Sequence, residues 1–129
     1  MTQEEKDLVL IDVCGRLPYD IKIKDEYGDY INVNIHNANI EHLLDRVVSG
    51  LDKMVIRPLS SMTEEERKEY HNLCYEEERE EREFGEWVIR VYYHDTIESI
   101  DWLNAHHFDY RGLIPKGLAL EATEDEYDD

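Results

Sequence analysis

Tyr19-Asp-Ile-Lys-Ile-Lys-Asp-Glu-Tyr-Gly-Asp-Tyr-Ile-Asn-Val-Asn-Ile-His36 is the stretch whose reading decides the fold. Ile21 and Ile23 alternate with Asp20, Lys22 and Lys24, and Ile31, Val33 and Ile35 alternate with Asn32, Asn34 and His36. A period of two sends successive side chains to opposite faces, so each run reads as a strand with one apolar and one polar face. Tyr27-Gly28-Asp29 reads as the turn between them, which makes the pair an antiparallel hairpin. An apolar sheet face needs a cover. The next segment supplies one. Asn39 offers an N-cap, Ile40, Leu43, Leu44, Val47 and Val48 come after it at helical spacing, and Gly50 closes the run. This predicts an α+β fold in which the helix lays its aliphatic stripe across the hairpin.

Toward the N-terminus, Thr2 with Glu5 forms a capping box, and Leu8, Leu10, Ile11, Val13 and Cys14 give an apolar stripe. Gly15 reads as the stop, with Pro18 barring continuation. Toward the C-terminus, Met54-Val55-Ile56 reads as a short strand and Arg57 to Ser61 as a connection. Thr63 with Glu66 opens another helix, with Tyr70, Leu73 and Cys74 on one side. Glu76 to Glu83 is almost wholly charged and reads as a solvated helix or a loose connection. Trp87, Ile89, Val91 and Tyr93 alternate with Val88, Arg90 and Tyr92, a strand expected to be buried on one face and partly on the other. Asp95 with Glu98 is the expected cap of the next helix, with Ile97, Ile100 and Leu103 inward. Beyond that helix, Gly112, Pro115 and Gly117 break the chain into turns. The reading is one α+β domain over 1–120, with an antiparallel sheet (hairpin 19–36 plus a strand near 87–93) packed by three to four helices. From Glu121 the chain holds six acids and no base, and 121–129 reads as a mobile acidic tail.

The chain's 129 residues fit one domain with a core of its own. A 36% share of charged residues predicts a heavily solvated surface. The net charge of -18 comes without a cluster of Lys and Arg, which argues against direct nucleic-acid binding and against anionic membrane surfaces. Cys14 and Cys74 make no CxxC and read as reduced, half-buried small hydrophobes. No apolar run reaches membrane-spanning length, and Met1-Thr-Gln-Glu-Glu is acidic where a signal peptide is basic. A cytoplasmic monomer is the expectation.

The densest stretch is Trp102-Leu-Asn-Ala-His-His-Phe-Asp-Tyr-Arg-Gly-Leu-Ile114, continued by Lys116-Gly-Leu-Ala-Leu-Glu-Ala122. It resembles a block found in small uncharacterised proteins of Bacteroides-type gut bacteria and their phages and mobile elements. Thr2 to Pro18, with Arg16-Leu17-Pro18-Tyr19, and Arg57-Pro-Leu-Ser-Ser-Met-Thr-Glu-Glu-Glu66 share the resemblance, which spans about half the chain. It implies a cytosolic protein of a bacterium or an infecting phage. It brings no activity, cofactor or catalytic residue with it.

Trp102, His106, His107, Asp109, Tyr110 and Arg111 are the candidate binding residues, being able both to pack and to bond. Adjacent histidines on a helix point about 100° apart and do not meet one ion, so no metal site is assigned. A small enzyme using the His107, Asp109 and Arg111 cluster is a further alternative, with Asp109 as acid and Arg111 as anion clamp. No nucleophile, oxyanion donor or phosphate loop accompanies them, so no catalytic residue and no cofactor is assigned. The ordinary role of this stretch is a structural clasp where a helix ends and the chain folds back. By elimination, the leading expectation is a module that binds an as yet unknown protein partner. The alternative is an acidic mimic of DNA that occupies a nucleic-acid-binding protein through the run Glu76 to Glu83 and the acidic tail.

Overall fold

The computed structural model describes residues 1–36 and 39–123. The α+β class holds. Two compact units divide the chain, one holding Met1–Ser61 with the described residues from Leu103 onward, the other Met62–Trp102.

The first unit opens with α1 (Gln3–Arg16), started by the expected Thr2–Glu5 capping box. Its inward residues are Val9, Asp12, Val13 and Arg16, whereas Leu10, Ile11 and Cys14 are exposed. The inward stripe is therefore rotated from the one the apolar pattern predicts. Two charged residues share the inward face because they neutralise each other at i,i+4. Gly15 does not stop this helix, which runs on to Arg16. A Cβ at Gly15 would meet the Asn104 amide at 3.5 Å, an ordinary contact distance.

The hairpin forms as β1 (Ile21–Lys24) and β2 (Tyr30–Val33), with Ile21 opposite Val33. Ile21 and Ile23 are buried, but Ile31 and Ile35 are exposed. β2 is the sheet's edge, and Ile35 falls beyond its end. Helix α2 (Ile40–Val48) is capped by Asn39, and its Leu43 and Val47 join Ile21 and Ile23 in the core as expected.

β3 (Lys53–Pro58) is the centre of the sheet. It pairs antiparallel with β1, and parallel with two short strands from the far end of the chain. These are β6 (Phe108–Asp109), against Arg57 and Pro58, and β7 (Ala119–Glu121), against Met54 to Ile56. The sheet is thus mixed, where the sequence predicts an antiparallel one. Met54, Val55 and Ile56 are all buried, as a strand covered on both faces requires. The expected tail boundary also moves. Glu121 pairs with Ile56, and the Ala122 N–H donates to the Ile56 carbonyl at 2.8 Å. Residues 124–129 of the expected tail lie outside the described residues.

The second unit contains α3 (Glu64–Leu73), opened by the Thr63–Glu66 capping box, and then β4 (Tyr75–Glu81) and β5 (Trp87–Tyr93). β4 and β5 form a two-stranded antiparallel sheet of their own, with Tyr75 opposite Tyr93 and Glu81 opposite Trp87. Two expectations are corrected here. The charged run is, as far as Glu81, neither helix nor loose connection but a strand, and the strand near 87–93 pairs with it instead of joining the hairpin sheet. Helix α4 (Ile97–Ala105) begins in this unit and ends in the first. Thr96 and Ser99 cap it reciprocally: the Thr96 N–H donates to Ser99 Oγ at 2.7 Å, and the Ser99 N–H to Thr96 Oγ1 at 3.0 Å. Asp95 does not cap this helix; it accepts the Tyr70 hydroxyl. Ile97 is 87% exposed; Ser99, Trp102, Leu103 and Asn104 are the buried positions.

Candidate functional site

The clasp is built where α4 ends. His107 takes a left-handed conformation (φ 66°), and its N–H donates to the Asn104 carbonyl at 3.2 Å, the usual way to leave a helix. The His107 carbonyl then accepts the Arg57 N–H at 2.7 Å, which starts the β3–β6 pairing. Phe108 comes next with no exposed surface, its ring under the Arg57 guanidinium at 4.2 Å. Asp109 accepts the Leu113 and Ile114 N–H groups, one on each carboxylate oxygen, at 2.9 Å. Both oxygens are thereby committed to holding the turn.

Beneath the turn lies a buried charge cluster that the apolar pattern alone does not reveal. Arg16 gives Nε and Nη2 to the two oxygens of Asp12 at 2.7 and 3.2 Å, and Nη2 also reaches the Phe108 carbonyl at 2.6 Å. Asp12 is 0% exposed and Arg16 1%. Arg111 Nε approaches the same carboxylate at 3.2 Å. The Tyr110 hydroxyl donates to Asn104 Oδ1 at 2.9 Å, and the Tyr110 ring faces the Arg16 guanidinium, 5.5 Å from its centroid. The sequence does carry a signal for this cluster, an i,i+4 Asp–Arg pair in phase with Val9 and Val13.

Five of the six expected site residues therefore belong to this clasp or adjoin it. Trp102 falls in the second unit, its ring 5.7 Å from that of Tyr70. The chemistry of the clasp is that of a fastening. Asp109 is spent on backbone amides, and Arg111, 28% exposed, stands beside Asp12 and donates to the Tyr110 hydroxyl. Burial, then the nearby Arg16 charge, push the His107 imidazole down to about 4, so it is neutral at ordinary pH. No group of three or more His, Cys, Asp or Glu side chains converges to hold a metal among the described residues.

A groove of about 370 Å³ runs between the hairpin and α2, with Ile23, Val33 and Leu43 among its walls. The arginine that lines it is also committed. Arg46 bonds both oxygens of Asp52 at 2.9 and 3.0 Å and pairs with Glu26 at 3.3 Å.

The β4–β5 ribbon is different, because its apolar groups are not spent. Residues in register share a face, and faces alternate along a strand. Trp87, Ile89, Val91 and Tyr93 therefore lie on one face with Tyr75, Glu77, Arg79 and Glu81. Trp87 is 62% exposed, Ile89 56%, Val91 48% and Tyr93 55%. This overturns the expected burial of that strand. At the root, His71 stacks on Tyr93 with ring centroids 4.1 Å apart, and Tyr75 meets Tyr93 edge-on. At the tip, Phe84 stands 99% exposed in a loop closed by the Arg82 N–H on the Glu86 carbonyl. The opposite face carries Glu76, Glu78 and Glu80, each engaged by a side chain of the second half of the ribbon. His94 pairs with Glu76, the Tyr92 hydroxyl donates to Glu78, and Arg90 pairs with Glu80. The ribbon is legible in principle: two seven-residue runs flank a five-residue connection containing Gly85, and the charged run has no apolar helical stripe.

No described helix is long and apolar enough to cross a membrane. No family model matches this chain, nor does any curated protein or solved structure.

Proposed function

We propose that this chain is a protein-binding module and that the β4–β5 ribbon is its binding surface. The single observation that carries the reading is the row Trp87, Ile89, Val91 and Tyr93, about half exposed along one face of a strand. At half exposure, Trp87, Tyr93 and Tyr75 alone present on the order of 300 Å² of mostly apolar surface, taking 150–250 Å² per aromatic side chain, and Ile89 and Val91 lie between them. A continuous patch of that size is the kind that marks a binding site. A lone two-stranded ribbon is also only marginally stable in water, so a third element laid on it gains twice, by covering the patch and by ordering the ribbon.

The DNA-mimic reading draws less support from the same ribbon. Glu76, Glu78 and Glu80 do form a row on one face, but His94, Tyr92 and Arg90 engage them in turn, and Arg79 and Arg82 interrupt the run.

Selection of random short peptides displayed on phage, against the whole chain and against Trp87→Thr/Ile89→Thr, tests the proposal. Threonine keeps strand propensity while removing the apolar surface. The expected result is enrichment on the native chain that the double variant loses. Enrichment that persists on the variant, or none on either, refutes the ribbon as the binding surface.

A further inference from the structure

We infer that the occupant of the ribbon is a short basic segment with an apolar stripe, not a folded domain and not a second copy of this chain. The inference rests on the ribbon being the binding surface and adds the chemistry of what binds there.

Area is the first argument. A stable interface between folded proteins takes about 800 Å² from each partner. The Trp87 face, with Ile89 and Val91 added to its three aromatics, offers roughly 400–500 Å², little more than half of that. The β4–β5 strands are seven residues long, so the face extends roughly 20 Å at 3.3–3.4 Å per residue. Those are the dimensions of one peptide segment laid along or across two strands.

Charge is the second argument. From Tyr75 to Tyr93 the acids are Glu76, Glu77, Glu78, Glu80, Glu81, Glu83 and Glu86, against Arg79, Arg82 and Arg90. Seven against three leaves a net charge of -4 on the ribbon alone. On the Trp87 face itself, Glu77 and Glu81 border the apolar row on the β4 side, with Arg79 between them. Arg79 Nε is held by Glu77 at 3.2 Å, so the carboxylate across from Trp87, that of Glu81, is the one best placed for a cation. A second copy would bring a like-charged ribbon and a whole-chain charge of -18 against it. A segment whose apolar side chains cover Trp87, Ile89 and Val91 while a Lys or Arg side chain reaches Glu81 satisfies both features at once. Complementary charge steers such encounters and sets their specificity.

The test uses the full chain and fluorescently labelled synthetic peptides of one length. One alternates Val with Lys, one Val with Glu, one Val with Ser, and one Ser with Lys. Anisotropy titration should show the Val–Lys peptide binding at least about tenfold more tightly than each of the others. Its affinity should fall with added salt. It should also fall several-fold in Glu81→Gln, which should leave the Val–Ser peptide unaffected. Trp87→Thr/Ile89→Thr should abolish binding, and the milder Ile89→Thr, which loses a single apolar side chain, should weaken it if the double variant does not fold. Equal binding of the Val–Glu or Val–Ser peptide overturns the basic occupant while leaving the ribbon as a peptide site. Binding of the Ser–Lys peptide as tight as the Val–Lys peptide means simple attraction of opposite charges and overturns the inference. Sedimentation equilibrium showing a dimer that the double variant abolishes makes the second copy the occupant and overturns it too. Failure of all four peptides, with the phage selection positive, refutes this chemistry; failure of both refutes the binding surface itself.

Discussion

Replacing Asp12 by alanine should be among the most damaging substitutions in the first unit. The carboxylate is 0% exposed and receives Arg16 Nε and Nη2 at 2.7 and 3.2 Å, with Arg111 Nε at 3.2 Å. Without it, Arg16, itself 1% exposed, keeps a full charge with only the Phe108 carbonyl, at 2.6 Å, to receive it. Removing one partner of a buried ion pair costs about 3–5 kcal/mol, because it strands the other charge. Two lost hydrogen bonds at roughly 1.5–3 kcal/mol each, for charged groups, give the same figure. Arg111 adds little, since its side chain is 28% exposed and can turn to water. Against a total of about 5–15 kcal/mol, this is a large share. At a urea slope of about 2 kcal/mol per molar, the midpoint should fall by about 2 M. Circular dichroism in urea gives that midpoint, and amide exchange at Val13 and Met54 reads the first unit directly. Asp12→Leu/Arg16→Met should be less damaging than Asp12→Ala alone, since it removes both charges and keeps apolar volume. A cost below about 1 kcal/mol for Asp12→Ala would show that Arg16 does not depend on this carboxylate, and the account of the clasp would fall.

The same geometry sets other outcomes. Phe108→Ala, which empties a site with no exposed surface, should cost about 3–5 kcal/mol. An unchanged midpoint for Phe108→Ala, together with lost peptide binding, would turn the clasp into a functional surface. The folded-state value of His107, near 4, lies below its unfolded value. Between about 4 and the ordinary histidine range the unfolded chain takes up a proton that the folded chain refuses, so stability falls as pH drops through that window. A shift of that size is worth at most about 3 kcal/mol, and partial exposure of the ring reduces this to about 1–2 kcal/mol. His107→Asn, which tolerates the left-handed backbone, should lose that share of the acid sensitivity; an unchanged acid limb in a urea series across pH would refute it. His94 moves the other way. The Asp95 carbonyl first, and then the Glu76 carboxylate, raise its value. The stability it lends is complete below the ordinary histidine value and is lost as pH rises through the raised one. Amide exchange at the ribbon root, at Tyr75 and Tyr93, should therefore quicken across that upper window more than base catalysis alone explains; no excess in the native chain over His94→Gln would count against it.

Legible and illegible features of the sequence divide along one physical line. Periodicity states which side chains share a face. It does not state whether another element covers that face. For Ile21 and Ile23 the two coincide, because Leu43 and Val47 arrive from α2 and close over them. One strand away the same alternation leaves Ile31 exposed, because β2 is an edge. On β5 the alternation of Trp87, Ile89, Val91 and Tyr93 is as regular as any in the chain, yet among the described residues β5 pairs only with a strand rich in glutamate. The remaining differences share this origin. The parallel pairing of β3 with β6 and β7 depends on contacts between residues far apart in sequence, which no local window contains. Asp12 and Arg16 read as solvent-facing residues when each is weighed alone, whereas together they are nearly neutral and can be buried. For Glu76 to Glu81, charge indicates solvent and is right, but it says nothing of helix against strand; that comes from the equally long partner run beyond Gly85. The uncovered strand is therefore the place where local pattern and tertiary cover disagree most. Such disagreements gather at functional positions, where a chain leaves one of its own rules unsatisfied until a partner completes it. On that reasoning the ribbon, not the residue-rich clasp between Trp102 and Ile114, is where the function of this chain should be sought first.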